Sequence, residues 1–126
     1  MEIITHTVYW VEIPVLQFDR AKLFYNTLYA FQMTEATSVM GRIGYLPFDK
    51  ILGVGAAIVQ GPGYTPAASG IKVYLNAGTN LSVLLNRVVP AGGKVLVPKT
   101  LVSAEIGYSA CFSDTEGNVL WLHSPA

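Results

Sequence analysis

The same succession of patterns runs through this chain twice: an alternating apolar strand, a short amphipathic helix, then three more strands. Residues 7–15, rich in β-branched and aromatic side chains, read as the first strand, with Pro14 at its end because proline has no N–H to give to a ladder. Asp19 is positioned to cap the helix 20–28, whose apolar face is Ala21, Phe24, Tyr25 and Leu28. Strands are expected near 32–36, 39–48 and 53–60, and the turn-rich stretch 61–70 reads as a linker. The order then begins again. A strand at 72–76 is followed by a helix on Leu81, Leu84, Leu85 and Val88, stopped by Pro90 and Gly92-Gly93. Strands follow at 94–101, 108–113 and 119–123, with Asp114-Thr115-Glu116-Gly117-Asn118 as the hairpin turn between the last two. Trp10 in the first strand corresponds to Val73 in the fifth, a shift of half the 126-residue chain. A duplicated β-α-β-β-β module within one α+β domain, module one at about 5–61 and module two at about 70–124, is the simplest account.

Composition narrows the function. Hydrophobic residues make up 52% and charged residues 13% of the chain, the reverse of a disordered segment. That is more apolar surface than a small monomer hides, which implies a homodimer interface, an apolar pocket, or both. Eight basic and eight acidic side chains balance, and no basic run exists to follow a phosphate backbone, which excludes nucleic acid as the expected partner. The first residues lack the pattern of a signal peptide, and no apolar run approaches the ~20 residues that span a bilayer. The single cysteine, Cys111, cannot form an internal disulfide, which suits a reducing cytoplasm; it reads as a small core residue in a strand.

Three segments carry a resemblance. They are Trp10-Val11-Glu12-Ile13-Pro14-Val15 with Asp19–Tyr25; Gly61–Pro66 leading to Val73-Tyr74-Leu75-Asn76 and on to Arg87 and Ala91-Gly92-Gly93-Lys94-Val95; and Phe112–Asn118 ending in Leu122-His123-Ser124. In this order and spacing the chain resembles the glyoxalase/bleomycin-resistance/dioxygenase group, the vicinal oxygen chelate superfamily, and within it the small glyoxalase-like proteins. The resemblance implies two βαβββ modules forming an eight-stranded, half-open, cup-shaped mixed sheet with helices outside, and a homodimer.

Metal-using members of that group hold a divalent ion at the cup centre, on the first and last strands of each module. Aligned on the helix and on Ala91–Val95, those positions fall on Trp10, Ile58, Val73 and Trp121. None can coordinate a cation, since an indole N–H only donates and the others are hydrocarbon. The expectation is therefore no metal and no other cofactor. A compensating set drawn from Glu12, Glu105 and His123 lacks the spacing of a known metal motif.

Strand alternation turns Glu12 into the cup together with Trp10, and His123 together with Trp121. The expected ligand-binding wall is Trp10, Glu12, Ile58, Val73, Lys99, Trp121 and His123: two indoles, apolar sides and a few polar groups, the usual make-up of a small-molecule site. Each residue has a plainer reading too. The indoles can fill the cup, Glu12 can pair with Lys99 or His123, and Tyr64 can pack onto the nearest strand. Arg42 and Tyr45 have opposite parity, and either could face inward. The leading functional expectation is a metal-free protein that binds a planar or apolar small molecule. The alternative is a lyase, isomerase or dioxygenase-type enzyme with an atypical metal site or a Glu12/His123 acid–base pair.

Overall fold

The computed structural model describes all 126 residues. Strand β1 (Val11–Pro14) leads into helix α1 (Phe18–Tyr29), then β2 (Thr34–Ser38), β3 (Gly41–Tyr45) and β4 (Ala56–Gln60). The second module repeats the order with β5 (Tyr74–Asn76), α2 (Ser82–Val88), β6 (Lys94–Ser103), β7 (Gly107–Ser113) and β8 (Val119–Ser124). Each module forms its own four-stranded sheet, ordered β1-β4-β3-β2 and β5-β8-β7-β6, with one parallel pair, β1–β4 or β5–β8. The architecture is the duplicated α+β fold that the sequence implies. It differs in one respect: no ladder joins β1 to β5, so two sheets stand where one eight-stranded sheet was expected.

The first strand is shorter than its sequence suggests. Residues 7–10 have strand-forming side chains, but β4 pairs with β1 only from Ala56 opposite Val11. A run without a partner strand leaves its N–H and C=O groups outside any ladder, whatever its propensity.

One core serves both modules. The expected face of α1 is buried at Ala21, Phe24, Tyr25 and Leu28. It packs on Ile13 and Ile58 of the first sheet and also on Ala110, Phe112 and Leu122 of the second. The Phe24 ring stacks on that of Phe112, centroids 5.9 Å apart, and lies edge-on to Tyr25 at 4.9 Å. Helix α2 adds Leu84 and Val88 to the same cluster, with Leu81 just before it. The helices thus lie against each other within a shared core, and Arg87 Nη1 of α2 donates to the Leu28 carbonyl of α1 at 3.1 Å.

The cap of α1 corrects the sequence reading. The helix begins at Phe18, so Asp19 lies in the first turn and pairs instead with Arg42 at 2.9 Å. The free amides at the helix entrance are met from far away. Phe18 N–H donates to Gln60 Oε1, and Leu16 and Gln17 N–H both donate to Glu116 Oε1 at 2.9 and 2.8 Å. Glu116 also receives Arg20 Nε at 2.6 Å. The hairpin of module two therefore caps the helix of module one, where a carboxylate also meets the positive end of the helix dipole.

Around it, Asp114 accepts from Tyr25 Oη at 2.8 Å, from the amides of Glu116 and Asn118, and from Asn118 Nδ2. Asn118 Nδ2 reaches the Pro14 carbonyl at 2.7 Å, and its Oδ1 accepts from Ala67 N–H in the linker. Gly117, at φ 87°, makes the turn that aims these side chains inward.

Burial alone would raise the Glu116 carboxyl; the bonds from Arg20, Gln17 and Leu16 outweigh it and hold the group below its ordinary value of 4.5. A depressed folded value means that the contribution is complete above the unfolded value and lost as pH falls through the folded one. Glu116→Gln should lose about 1–2 kcal/mol at pH 7, the range for a lost cap. Its denaturation midpoint should converge on that of the wild type as the medium is acidified below 4.5. A gap that stays constant across an acid titration would show that the Glu116 charge contributes nothing.

Candidate functional site

The faces opposite the shared core are the ones free to meet a ligand. On the first sheet alternation turns Glu12, Ile43, Tyr45, Ala57 and Val59 to this outer side, with Trp10 just before β1. Ile43, Ala57 and Val59 form a small apolar floor covered by Trp10, Tyr45 and Tyr64. Tyr45, not Arg42, is the β3 side chain on this face. Arg42 turns to α1, stacks 4.1 Å over Phe18 and bonds to Asp19 and Glu35.

At the end of this face, an open cavity of about 490 Å³ is lined by Tyr9, Trp10, Tyr45, Phe48, Lys50 and Ile51, together with Gly53 and Gly55. The Trp10 ring is 6.2 Å from Tyr45 and edge-on to Phe48 at 5.7 Å. Phe48 can lie there because Gly55 has no side chain; a Cβ at Gly55 would come within 2.3 Å of the ring. Beside the cavity, Tyr64 Oη donates to Glu12 Oε1 at 2.6 Å, a bond that raises the phenol above its ordinary value. Glu12 is thus occupied by the linker tyrosine.

On the second sheet the outer side carries Tyr74, Trp121 and His123, with Ser109 and Cys111 buried beneath. The Tyr74 and Trp121 rings lie 5.5 Å apart at 31°, and Lys72 Nζ stands 5.4 Å from the Trp121 ring centroid. Burial pushes the Cys111 thiol up, opposed by the nearby Lys72 charge, so the group is a thiol near neutral pH. His123 Nε2 lies 2.6 Å from the Ile106 carbonyl, which fixes the proton on that nitrogen as the donor.

The residues expected on one wall are thus divided. Trp10 and Glu12 share the first sheet's outer face, and Trp121 and His123 share the second's. No hydrogen bond or ion pair links Glu12 to His123 or Lys99. Ile58 and Val73 must be moved. Ile58 sits opposite Ile13 in the core, between the outward Ala57 and Val59, and Val73 packs on the same core between Lys72 and Tyr74. A shift of one residue along a strand exchanges its faces, so an alignment one position out is enough to invert them. Lys99 is also elsewhere. Register shifts between Val95 and Val97, and between Val97 and Thr100, break the alternation of β6. Its ammonium bonds to Asn80 Oδ1 and Ser82 Oγ near the start of α2, 4.7 Å from the Tyr108 ring centroid. Sequence reasoning missed Phe48, Lys50 and Lys72. For Lys72 the signal was present, since it has the parity of Tyr74.

A divalent ion needs converging nitrogen, oxygen or sulfur donors. The outer positions of β1, β4, β5 and β8 hold indole, phenol and alkyl groups beside Glu12, Asn76 and His123, and no three His, Cys, Asp or Glu side chains are grouped to hold an ion. This donor set does not fit a divalent metal centre. No helix is long and apolar enough to cross a membrane.

No protein-family model and no curated protein matches the sequence. Solved structures do match it, over 91–100% of its length in the three that follow. TnmS3, an antibiotic binding protein from Streptomyces sp. CB03234, is 25% identical, with all of both chains covered and a TM-score of 0.64. A glyoxalase/bleomycin resistance protein from the same organism is 24% identical over 91% of this chain and 97% of that one, TM-score 0.63. A point mutant of the fosfomycin resistance protein FosX from Listeria monocytogenes, solved with Mn(II) and a dihydroxypropylphosphonic acid, is 15% identical over 98% and 93%, TM-score 0.61.

Proposed function

We propose that this chain, which has the glyoxalase/bleomycin-resistance fold of the vicinal oxygen chelate superfamily, is a metal-free protein that binds a planar, largely apolar small molecule. The observation that carries the proposal is the aromatic cavity: Trp10, Tyr45 and Phe48 converge at one end of a sheet face, around an opening of about 490 Å³. Tryptophan and tyrosine offer large flat surfaces at little entropic cost, and offset or edge contacts with a planar ligand suit them. The antibiotic-binding neighbour at 25% identity supports the binding of a small molecule.

The cavity is open, and the outer faces of the two sheets look away from their shared core. A second copy, laying its Tyr74–Trp121 surface over the Trp10 cavity, would enclose the ligand, and a homodimer is part of the proposal. Bulky apolar residues left in water near these faces, Tyr9 at 92% exposure and Ile51 at 91%, favour such a cover.

Two single-tryptophan variants test it. Trp121→Phe leaves Trp10 as the only indole, and a panel of planar polycyclic compounds should quench its emission with micromolar midpoints, with no divalent ion added. Trp10→Ala should weaken binding by roughly 10–100-fold, as expected for an aromatic anchor. Light scattering should give twice the 13.6 kDa of the chain. Quenching that requires a divalent ion, or a Trp10 signal unmoved by every compound, would overturn the reading.

A further inference from the structure

We infer that the ligand is a planar anion, an aromatic carboxylate or ionised phenol, drawn in by Lys50 and Lys72. The inference rests on the binding function just proposed and specifies its ligand. Each of the two aromatic surfaces carries one lysine, and neither lysine is paired. Lys50 lines the Trp10 cavity. Lys72 stands over the face of Trp121, next to Tyr74. The ion pairs of the chain involve Arg20, Lys22 and Arg42 only, with Glu116, Glu35 and Asp19. Lys99 is bonded to Asn80 and Ser82, and Arg87 to a carbonyl.

Glu12 and Asp49, beside the Trp10 cavity, bond to groups other than Lys50. Glu12 receives the Tyr64 hydroxyl. Asp49 turns back on its own loop and accepts the amides of Ile51 and Leu52, bonds that hold it below its ordinary value. Low-dielectric walls of indole and phenol strengthen a charge held between them. A lysine over an aromatic face can hold the acidic group of a ligand whose ring stacks on that same face. The ammonium then neutralises the anion without any coordination bond.

Calorimetric titration of the full chain with naphthoate and with naphthamide is the test, because the two probes share a ring system and differ in charge. Naphthoate should bind at least about tenfold more tightly at low salt, and the ratio should shrink as sodium chloride is added. Lys50→Gln/Lys72→Gln should bring the ratio close to one, with thermal melts showing that the variant is folded. Lys22→Gln, which removes a cation paired with Glu35 away from both aromatic surfaces, should keep it. Equal affinity for the two probes in the wild type would overturn the inference while leaving small-molecule binding in place. So would a preference that survives the double substitution. If no planar probe of either charge binds, both the inference and the proposed function fall.

Discussion

Asp114→Ala is expected to lower the melting temperature by roughly 10–15 °C, from a loss of about 3–4 kcal/mol. Asp114 is 5% exposed and accepts hydrogen bonds from four donors: the Tyr25 hydroxyl, the Asn118 amide side chain, and two backbone amides. Alanine leaves all four in a space closed to bulk water, and a buried donor without a partner costs more than the bond contributed. The Tyr25 phenol is fully buried, and burial, with the Asp114 charge, raises it far above its ordinary value, so it stays a donor at every working pH. Tyr25→Phe removes only one of the four donors and should cost about 1 kcal/mol. Differential scanning calorimetry of the two variants decides the matter. If both lose the same amount, Asp114 does not organise the hairpin and its neighbours as described.

Phe24→Ala should cost about 3–5 kcal/mol, the range for deleting a buried aromatic ring. The side chain is fully buried between Tyr25 and Phe112, so the vacancy opens at the seam of the two modules. Both modules should therefore lose stability together. Single-tryptophan variants report each half separately, Trp10 for the first and Trp121 for the second. Urea transitions read from the two indoles should coincide in the presence and absence of the Phe24 substitution, and shift by the same amount. A displaced Trp10 transition with an unmoved Trp121 transition would mean that the modules keep separate cores.

Much of the architecture could be read from local pattern. The helical spacing of Ala21, Phe24, Tyr25 and Leu28 named the buried face of α1, and alternation placed Trp10 with Glu12 and Trp121 with His123. Those are short-range signals, carried by neighbours within a turn or a strand. The errors lie where a long-range fact decides. Ile58 and Val73 came from counting half the chain across two loops of different length, and parity does not survive an error of one. Lys99 follows an irregularity in β6 that its sequence does not announce. Asp114-Thr115-Glu116-Gly117-Asn118 read as turn chemistry, and a turn is what it forms; its partners Leu16, Gln17 and Tyr25 are 100, 99 and 89 positions away and leave no local trace. Phe48, expected at the end of a strand, lies with Lys50 in the connection after β3, which ends at Tyr45, so their place beside Trp10 could be found only from coordinates.

The connections after β3 and after β7 occupy the same place in the two modules, yet they have parted ways. The later one, closed tightly on Asp114 and Asn118, fastens the halves to each other and has no freedom left to receive anything else. The earlier one, running from Leu46 to Gly55, carries no such fastening and spreads Phe48, Lys50 and Ile51 around an opening instead. Equivalent connections of the two modules thus differ in use: one rivets the halves together, and the other leaves an opening. Under the proposed binding function, substitutions in the first connection should change ligand preference, while substitutions in the second should cost stability.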